Sequence, residues 1–90
     1  MTADRTRATA DRIFELLRTI IARDFRLRPD DITLASSLEA LDLDSIDAVD
    51  LAVSVEEEVG VQFQPEHLES IRTVQDVVDV VVSGLSTRAE

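Results

Sequence analysis

The chain has ninety residues, which is enough for one domain and leaves no room for a second. It contains no Cys and one His, which excludes a disulfide framework, a thiolate metal site and a histidine cluster, and leaves His67 as the sole imidazole base for any nucleophile. The net charge of −10 is unevenly placed: residues 1–28 hold seven Arg against four acids, whereas residues 29–71 hold twelve acids and neither Arg nor Lys.

In chain order, residues 1–8 are expected to form a flexible tail. Ile13, Phe14, Leu16, Leu17, Ile20, Ile21 and Phe25 then recur at spacings of three and four, which makes one buried face of a helix. That helix is expected to start between Thr6 and Asp11. It should end near Phe25, because Pro29 disfavours helix at Arg28. A long loop over residues 27–43 follows, with Pro29, Asp30, Asp31, Ser36 and Ser37 as turn-formers. Ile32, Leu34, Leu38 and Leu41 are expected to pin it to the core. A loop of that length in a small domain points to function.

The spacing predicts a second helix from Ser45 to about Val59, stopped by Gly60. A short helix is expected after Pro65. The last helix is expected to begin at an N-capping Thr73, to carry Val74, Val77, Val78, Val81 and Val82, and to end near Gly84. Residues 86–90 would fray. Val favours strands by propensity, but Asp76 and Asp79 leave the apolar stripe at helical spacing. The fold class is therefore all-α, a four-helix bundle of three longer helices and one short one, with a long loop between the first and second helices.

Asp44-Ser45-Ile46-Asp47 opens the second helix. Asp44 suits the N-cap, and Asp47 completes a capping box. Ser45 then stands at the first helical position with its hydroxyl at the helix mouth. A phosphate esterified there would face unpaired N–H groups and the positive end of the helix dipole. Further along, Ala48, Leu51, Ala52, Val55 and Val59 fall within one arc of about 100°. Ile46, Val49 and Val53 form a second stripe on nearly the opposite side, bordered by Asp50 and Glu57 on one flank and Glu56 on the other. A helix with one core face needs no second apolar stripe ringed by acids. Scattered surface apolars would account for it, and so would a docking strip for basic partners.

The stretch Leu41-Asp42-Leu43-Asp44-Ser45-Ile46-Asp47, with Val53-Ser54-Val55-Glu56-Glu57-Glu58-Val59-Gly60, resembles the acyl carrier protein signature. So does Pro65-Glu66-His67-Leu68 through Ile71-Arg72-Thr73-Val74-Gln75-Asp76-Val77-Val78. The resemblance covers about residues 38–82. It implies that Ser45 bears a covalent 4'-phosphopantetheine arm, donated from coenzyme A by a phosphopantetheinyl transferase. The arm's thiol would hold acyl groups as thioesters and so supply the sulfur this chain lacks. Asp44 and Asp47 would flank the modified serine. Ile46, Val49, Asp50, Val53, Glu56 and Glu57 would meet partners. Leu51, Val55, Phe63, Leu68, Ile71 and Val77 would line the core or an acyl-chain cavity. The implied partners are acyltransferases, ketosynthases or acyl-ligases with basic docking surfaces, in fatty acid, polyketide or related synthesis. The carrier itself would be a monomer and not an enzyme. Asp42 departs from the family, standing where many relatives have Gly.

Other readings are weaker. Counted as an EF-hand loop from Asp42, position 6 is Asp47 rather than Gly and position 12 is Val53 rather than Glu, so that calcium site is rejected. The paired carboxylates have no Gly-rich loop beside them to suggest an enzyme. An aminoacyl or peptidyl carrier and an unmodified acidic interaction bundle stay open. The acid-only segment repels nucleic acid and anionic membrane. The absence of Trp and Tyr removes stacking platforms for single strands. No apolar run reaches membrane-span length, and no apolar signal-peptide region follows the N-terminus, so a cytoplasmic location is expected. Twelve carboxylates brought together by folding repel one another. Added salt is therefore expected to raise the melting temperature near neutral pH, as a thermal melt across a salt series would measure.

Overall fold

Helix α1 spans Thr2–Phe25 in the computed structural model, which describes residues 2–88. It starts ahead of the expected Thr6–Asp11 window, and the backbone of residues 2–8, expected as a tail, is helical. Ala3, Ala8 and Ala10 are strong helix formers, and nothing before Asp11 breaks the run. The helix stops where expected. Arg26 turns left-handed at φ 56°, and the Leu27 N–H bonds back to the Ala22 carbonyl at 3.1 Å, a six-to-one closure that uses an orphan carbonyl. Arg28 is then extended, ahead of a short 3-10 turn at Pro29–Asp31.

Helix α2 runs Ser45–Val59, α3 Pro65–Ser70 and α4 Val74–Arg88. Helix α1 packs mainly on α4 and then on α2, while α3 leans on α2. The valines of α4 are helical, not strand. The only β pairing among the described residues is one isolated bridge, Ser37 to Thr73. Gly84 does not end α4, contrary to expectation, because the helix continues to Arg88. Gly84 is a packing residue: a Cβ there would stand 2.5 Å from Val61 Cγ1. Within the expected frayed stretch, residues 86–88 have helical backbone, and residues 89–90 lie outside the described residues.

The core joins Leu17, Ile20 and Ile21 of α1, Leu51 and Val55 of α2 and Val74, Val77, Val78 and Val81 of α4. From the long loop, Ile32 and Leu38 are buried and Leu41 is half-buried, as expected. Leu34 is not: its side chain is exposed. It tethers the loop through its backbone instead, its carbonyl accepting the Gln75 N–H at 3.0 Å. Among the described residues no polar or charged side chain is fully buried.

The start of α4 is held by a reciprocal cap. Thr73 Oγ1 accepts the Asp76 N–H at 3.2 Å, and Asp76 Oδ2 accepts the N–H groups of Thr73 at 3.0 Å and Arg72 at 2.8 Å. Those two backbone donors hold the Asp76 carboxyl below the usual carboxylate range. A lowered folded value gives stability that is complete above the unfolded carboxylate value. It drains away as pH falls through the folded one. Asp76→Ala is therefore expected to cost about 1–2 kcal/mol at neutral pH. The deficit should shrink in acid, as paired melts at neutral and strongly acidic pH would read.

Candidate functional site

Asp44 begins α2 from an extended conformation, and both halves of the expected capping box are present. Asp44 Oδ1 accepts the Asp47 N–H at 2.9 Å, and Asp47 Oδ2 accepts the Asp44 N–H at 3.2 Å. The helix closes on Gly60 in the left-handed region at φ 76°. Just before the cap, Asp42 adopts φ 62°. That is the region glycine favours, and Asp is among the few other residues that visit it. The backbone just ahead of Ser45 thus makes its left-handed turn at an aspartate.

Ser45 is exposed at the first position of α2. Its hydroxyl has no hydrogen bond among the described residues, in contrast to the hydroxyls of Ser36, Ser37, Ser54 and Ser70. Ser36 Oγ accepts the Thr33 N–H, Ser37 Oγ accepts the Ala40 N–H, Ser54 donates to Asp24 and Ser70 donates to the His67 carbonyl. Ser83 also has a partner. Two carboxylates fix the helix mouth on either side of Ser45, yet both spend an oxygen on the backbone rather than on the serine. The hydroxyl is left presented to solvent at the positive end of a fifteen-residue helix.

A groove of about 630 Å³ opens beside this hydroxyl, walled by Leu43, Ala48, Val49, Leu68 and Ile71. Of the residues expected to line the core or a cavity, Leu68 and Ile71 reach the groove. Leu51, Val55 and Val77 lie in the core instead, and Phe63 packs half-buried against it. The serine, the first-turn amides and the groove together fit a phosphate ester with an extended chain leading away from it.

The two stripes of α2 separate as expected. Leu51, Ala52 and Val55 are buried, while Ile46, Val49 and Val53 are 70%, 45% and 46% exposed. Asp50 and Glu57 border the outer stripe in solvent. Glu56 departs from them. It is half-buried, and its Oε2 accepts the Phe63 N–H at 2.7 Å, so the carboxylate pins the α2–α3 connection. On the far side of α2, Ser54 donates to Asp24 at 2.8 Å. Arg23 hydrogen-bonds the same carboxylate, and these two donors lower the Asp24 pKa, with Arg23 the larger cause.

Sequence reasoning missed three charged residues on the groove, Glu39, Glu69 and Arg72. For Arg72 a signal existed: it is the first basic residue after the acid-only segment. Among the described residues no group of three or more His, Cys, Asp or Glu could hold a metal ion, and no helix is long and apolar enough to cross a membrane.

Residues 15–81 match the family model described as the phosphopantetheine attachment site. The chain is 43% identical to the acyl carrier protein of Coprothermobacter proteolyticus over 79 residues, covering 87% of this chain and 96% of that one. It is 44% identical to acyl carrier protein 2 of Ralstonia nicotianae, covering 87% of this chain and 98% of that one. In fold it is similar to the crystal structure of an acyl carrier protein from Thermotoga maritima, with a TM-score of 0.81 at 22% identity over 89% of this chain and 94% of that one. With that much identity over nearly the full length of its relatives, the chain belongs to the acyl carrier proteins of the phosphopantetheine attachment-site family, and its cofactor is a covalently attached 4'-phosphopantetheine.

Proposed function

We propose that Ser45 is the attachment point, and that the arm carries acyl intermediates as thioesters to the enzymes of fatty acid, polyketide or related synthesis. The single observation behind the assignment is the unpartnered, exposed Ser45 hydroxyl at a capped helix start. In the transfer, Ser45 Oγ forms the new phosphoester bond. The pyrophosphate bond of coenzyme A breaks, the adenosine bisphosphate leaves, and the serine proton passes to a base on the transferase. The chain supplies the nucleophilic oxygen and its placement, and performs no chemistry on the cargo. The test is to incubate apo protein with a phosphopantetheinyl transferase and coenzyme A, weigh it, and map the added group by proteolysis. One group on the peptide containing Ser45 is the expected result. No added mass, or a group elsewhere, would refute the assignment.

The outer stripe of α2 supports a docking role. Exposed Ile46, Val49 and Val53 offer apolar contact, and Asp50 and Glu57 offer carboxylates to basic side chains on the transferase and on acyl-handling enzymes. Such rim charges act mainly on the association rate. Asp50→Arg is expected to slow association with the transferase severalfold at low ionic strength. The difference should narrow as salt is added, because screening acts on exposed charges. Stopped-flow binding at two ionic strengths measures this, with the melting temperature as the control. Glu56→Arg should differ from it by also lowering the melting temperature, since Glu56 holds the Phe63 N–H.

A further inference from the structure

The groove beside Ser45 is a poor place for another negative charge. Glu39, Asp44 and Glu69 all line it, and Asp47 stands one turn into the helix. A phosphodiester on Ser45 adds one more anion to this set. The first-turn amides of α2 and the helix dipole offset part of that cost, but the dipole's influence fades within a turn.

One cation faces the same groove. Arg72 is the sole basic residue in its lining, and it is exposed. Two backbone bonds link its segment to the one that leads into the serine. The Leu38 N–H donates to the Arg72 carbonyl at 2.9 Å, and the Leu43 N–H donates to the Leu38 carbonyl at 2.9 Å. Leu43 stands two residues before Ser45, so the end of the long loop ties the start of α4 to the start of α2.

The Arg72 side chain also forms no ion pair or hydrogen bond among the described residues. The ion pairs among the described residues all involve α1, namely Arg18 with Glu15 and Arg23 with Asp24 and Glu58. Asp76 takes the Arg72 backbone N–H and forms no ion pair with its guanidinium, whose charge is the smallest of the causes that lower the Asp76 carboxyl. A guanidinium without an ion pair, on a residue that lines a groove of carboxylates, has a planar fork of donors suited to phosphate oxygens.

We infer that Arg72 is the anion contact of the prosthetic arm, holding its phosphodiester against the groove between α2 and α3. The inference rests on Ser45 as the attachment point. It makes Arg72 a positioning residue that sets the direction in which the arm leaves the helix, whatever cargo the arm bears. A carboxylate at the far end of a dicarboxylic cargo is the other anion Arg72 could meet. The phosphate is favoured because it is fixed on Ser45, beside the groove, in every loaded state.

The test uses the full chain with labelled arginine, as apo protein, as cargo-free holo protein, and as holo protein loaded with acetyl or malonyl thioester. The Arg72 Nε and Cζ resonances are expected to move between apo and cargo-free holo protein, and to stay there when acetyl replaces the free thiol. The phosphorus resonance of holo Arg72→Gln should be displaced from wild type, with Arg72→Lys between the two, because Lys restores charge without the fork. Apo Arg72→Gln should melt with wild type, which shows that the variant is folded. If the Ser45 and Ile46 amides move on modification while the Arg72 side chain does not, the arm is attached but Arg72 does not hold it. If Arg72 moves only with malonyl, it reads the cargo and the inference is overturned. If no group is added at Ser45, the attachment assignment fails first and this inference falls with it.

Discussion

Ser45→Ala is expected to gain no mass from a phosphopantetheinyl transferase, while melting with the wild-type protein. The effect on modification is all or none, since no other described serine offers an equivalent oxygen. Ser36, Ser37 and Ser70 each spend the hydroxyl on a local bond, Ser54 spends its own on Asp24 of α1, and Ser83 has a partner as well. None of them stands at the first position of a helix with a groove alongside. The effect on stability should be small for the same reason that the site is available. The Ser45 side chain is exposed and bonds nothing among the described residues, so truncating it removes no native interaction. Ala is the better helix former, and exposed substitutions of this kind fall within about 0.5 kcal/mol. Intact mass after incubation with coenzyme A, beside a thermal melt, reads both halves. Modification of the Ala variant would place the arm elsewhere, and a large drop in melting temperature would mean Ser45 is structural.

Helix α2 was legible in the sequence at both ends because each end has a local chemical cause. Asp44 and Asp47 can satisfy the first-turn amides reciprocally, and Gly60 can turn left-handed at φ 76°. The start of α4 was legible through Thr73 in the same way. The start of α1 was not, because the residues before Thr6 carry no stop signal and helix continues through them. Gly84 misled for a physical reason. A glycine late in a helical pattern reads as a terminator, but this one is required by the approach of Val61, which lies more than twenty residues away in sequence. Leu34 shows the same limit in a loop. Without a period, nothing local says which apolar side chains turn inward.

At the site, sequence pattern reached Ser45, its two flanking carboxylates and the division of α2 into two stripes. It did not reach the difference between Glu56 and its acidic neighbours. All three glutamates look alike in the run 56–58, and only the return of the chain at Phe63 gives one of them a backbone N–H to hold. Nor did it show that Ser54 is held by Asp24 of α1, thirty residues away. These are properties of tertiary contact, which a helical wheel does not contain.

The division of α2 has a large and opposite consequence for two aliphatic residues only two positions apart. Leu51→Ala is expected to lower stability by about 2–5 kcal/mol, the usual cost of truncating a buried leucine to a cavity. Leu51 is 1% exposed and packs in a core shared by α1, α2 and α4. A domain of this size has roughly 5–13 kcal/mol in total, so the loss is a large share of it. At roughly 4–8 °C per kcal/mol the melting temperature should fall by about 10 °C or more. Val49→Ala should shift it little, because Val49 is 45% exposed and faces away from that core. Its cost should appear in partner binding instead, as a weaker complex with the transferase through lost apolar contact. Thermal melts and transferase kinetics for the two variants, compared under one condition, separate the stripes. If Val49→Ala melted as low as Leu51→Ala, the outer stripe would be core and not a docking face. If Leu51→Ala melted with wild type, the bundle would not be packed around α2 in this way.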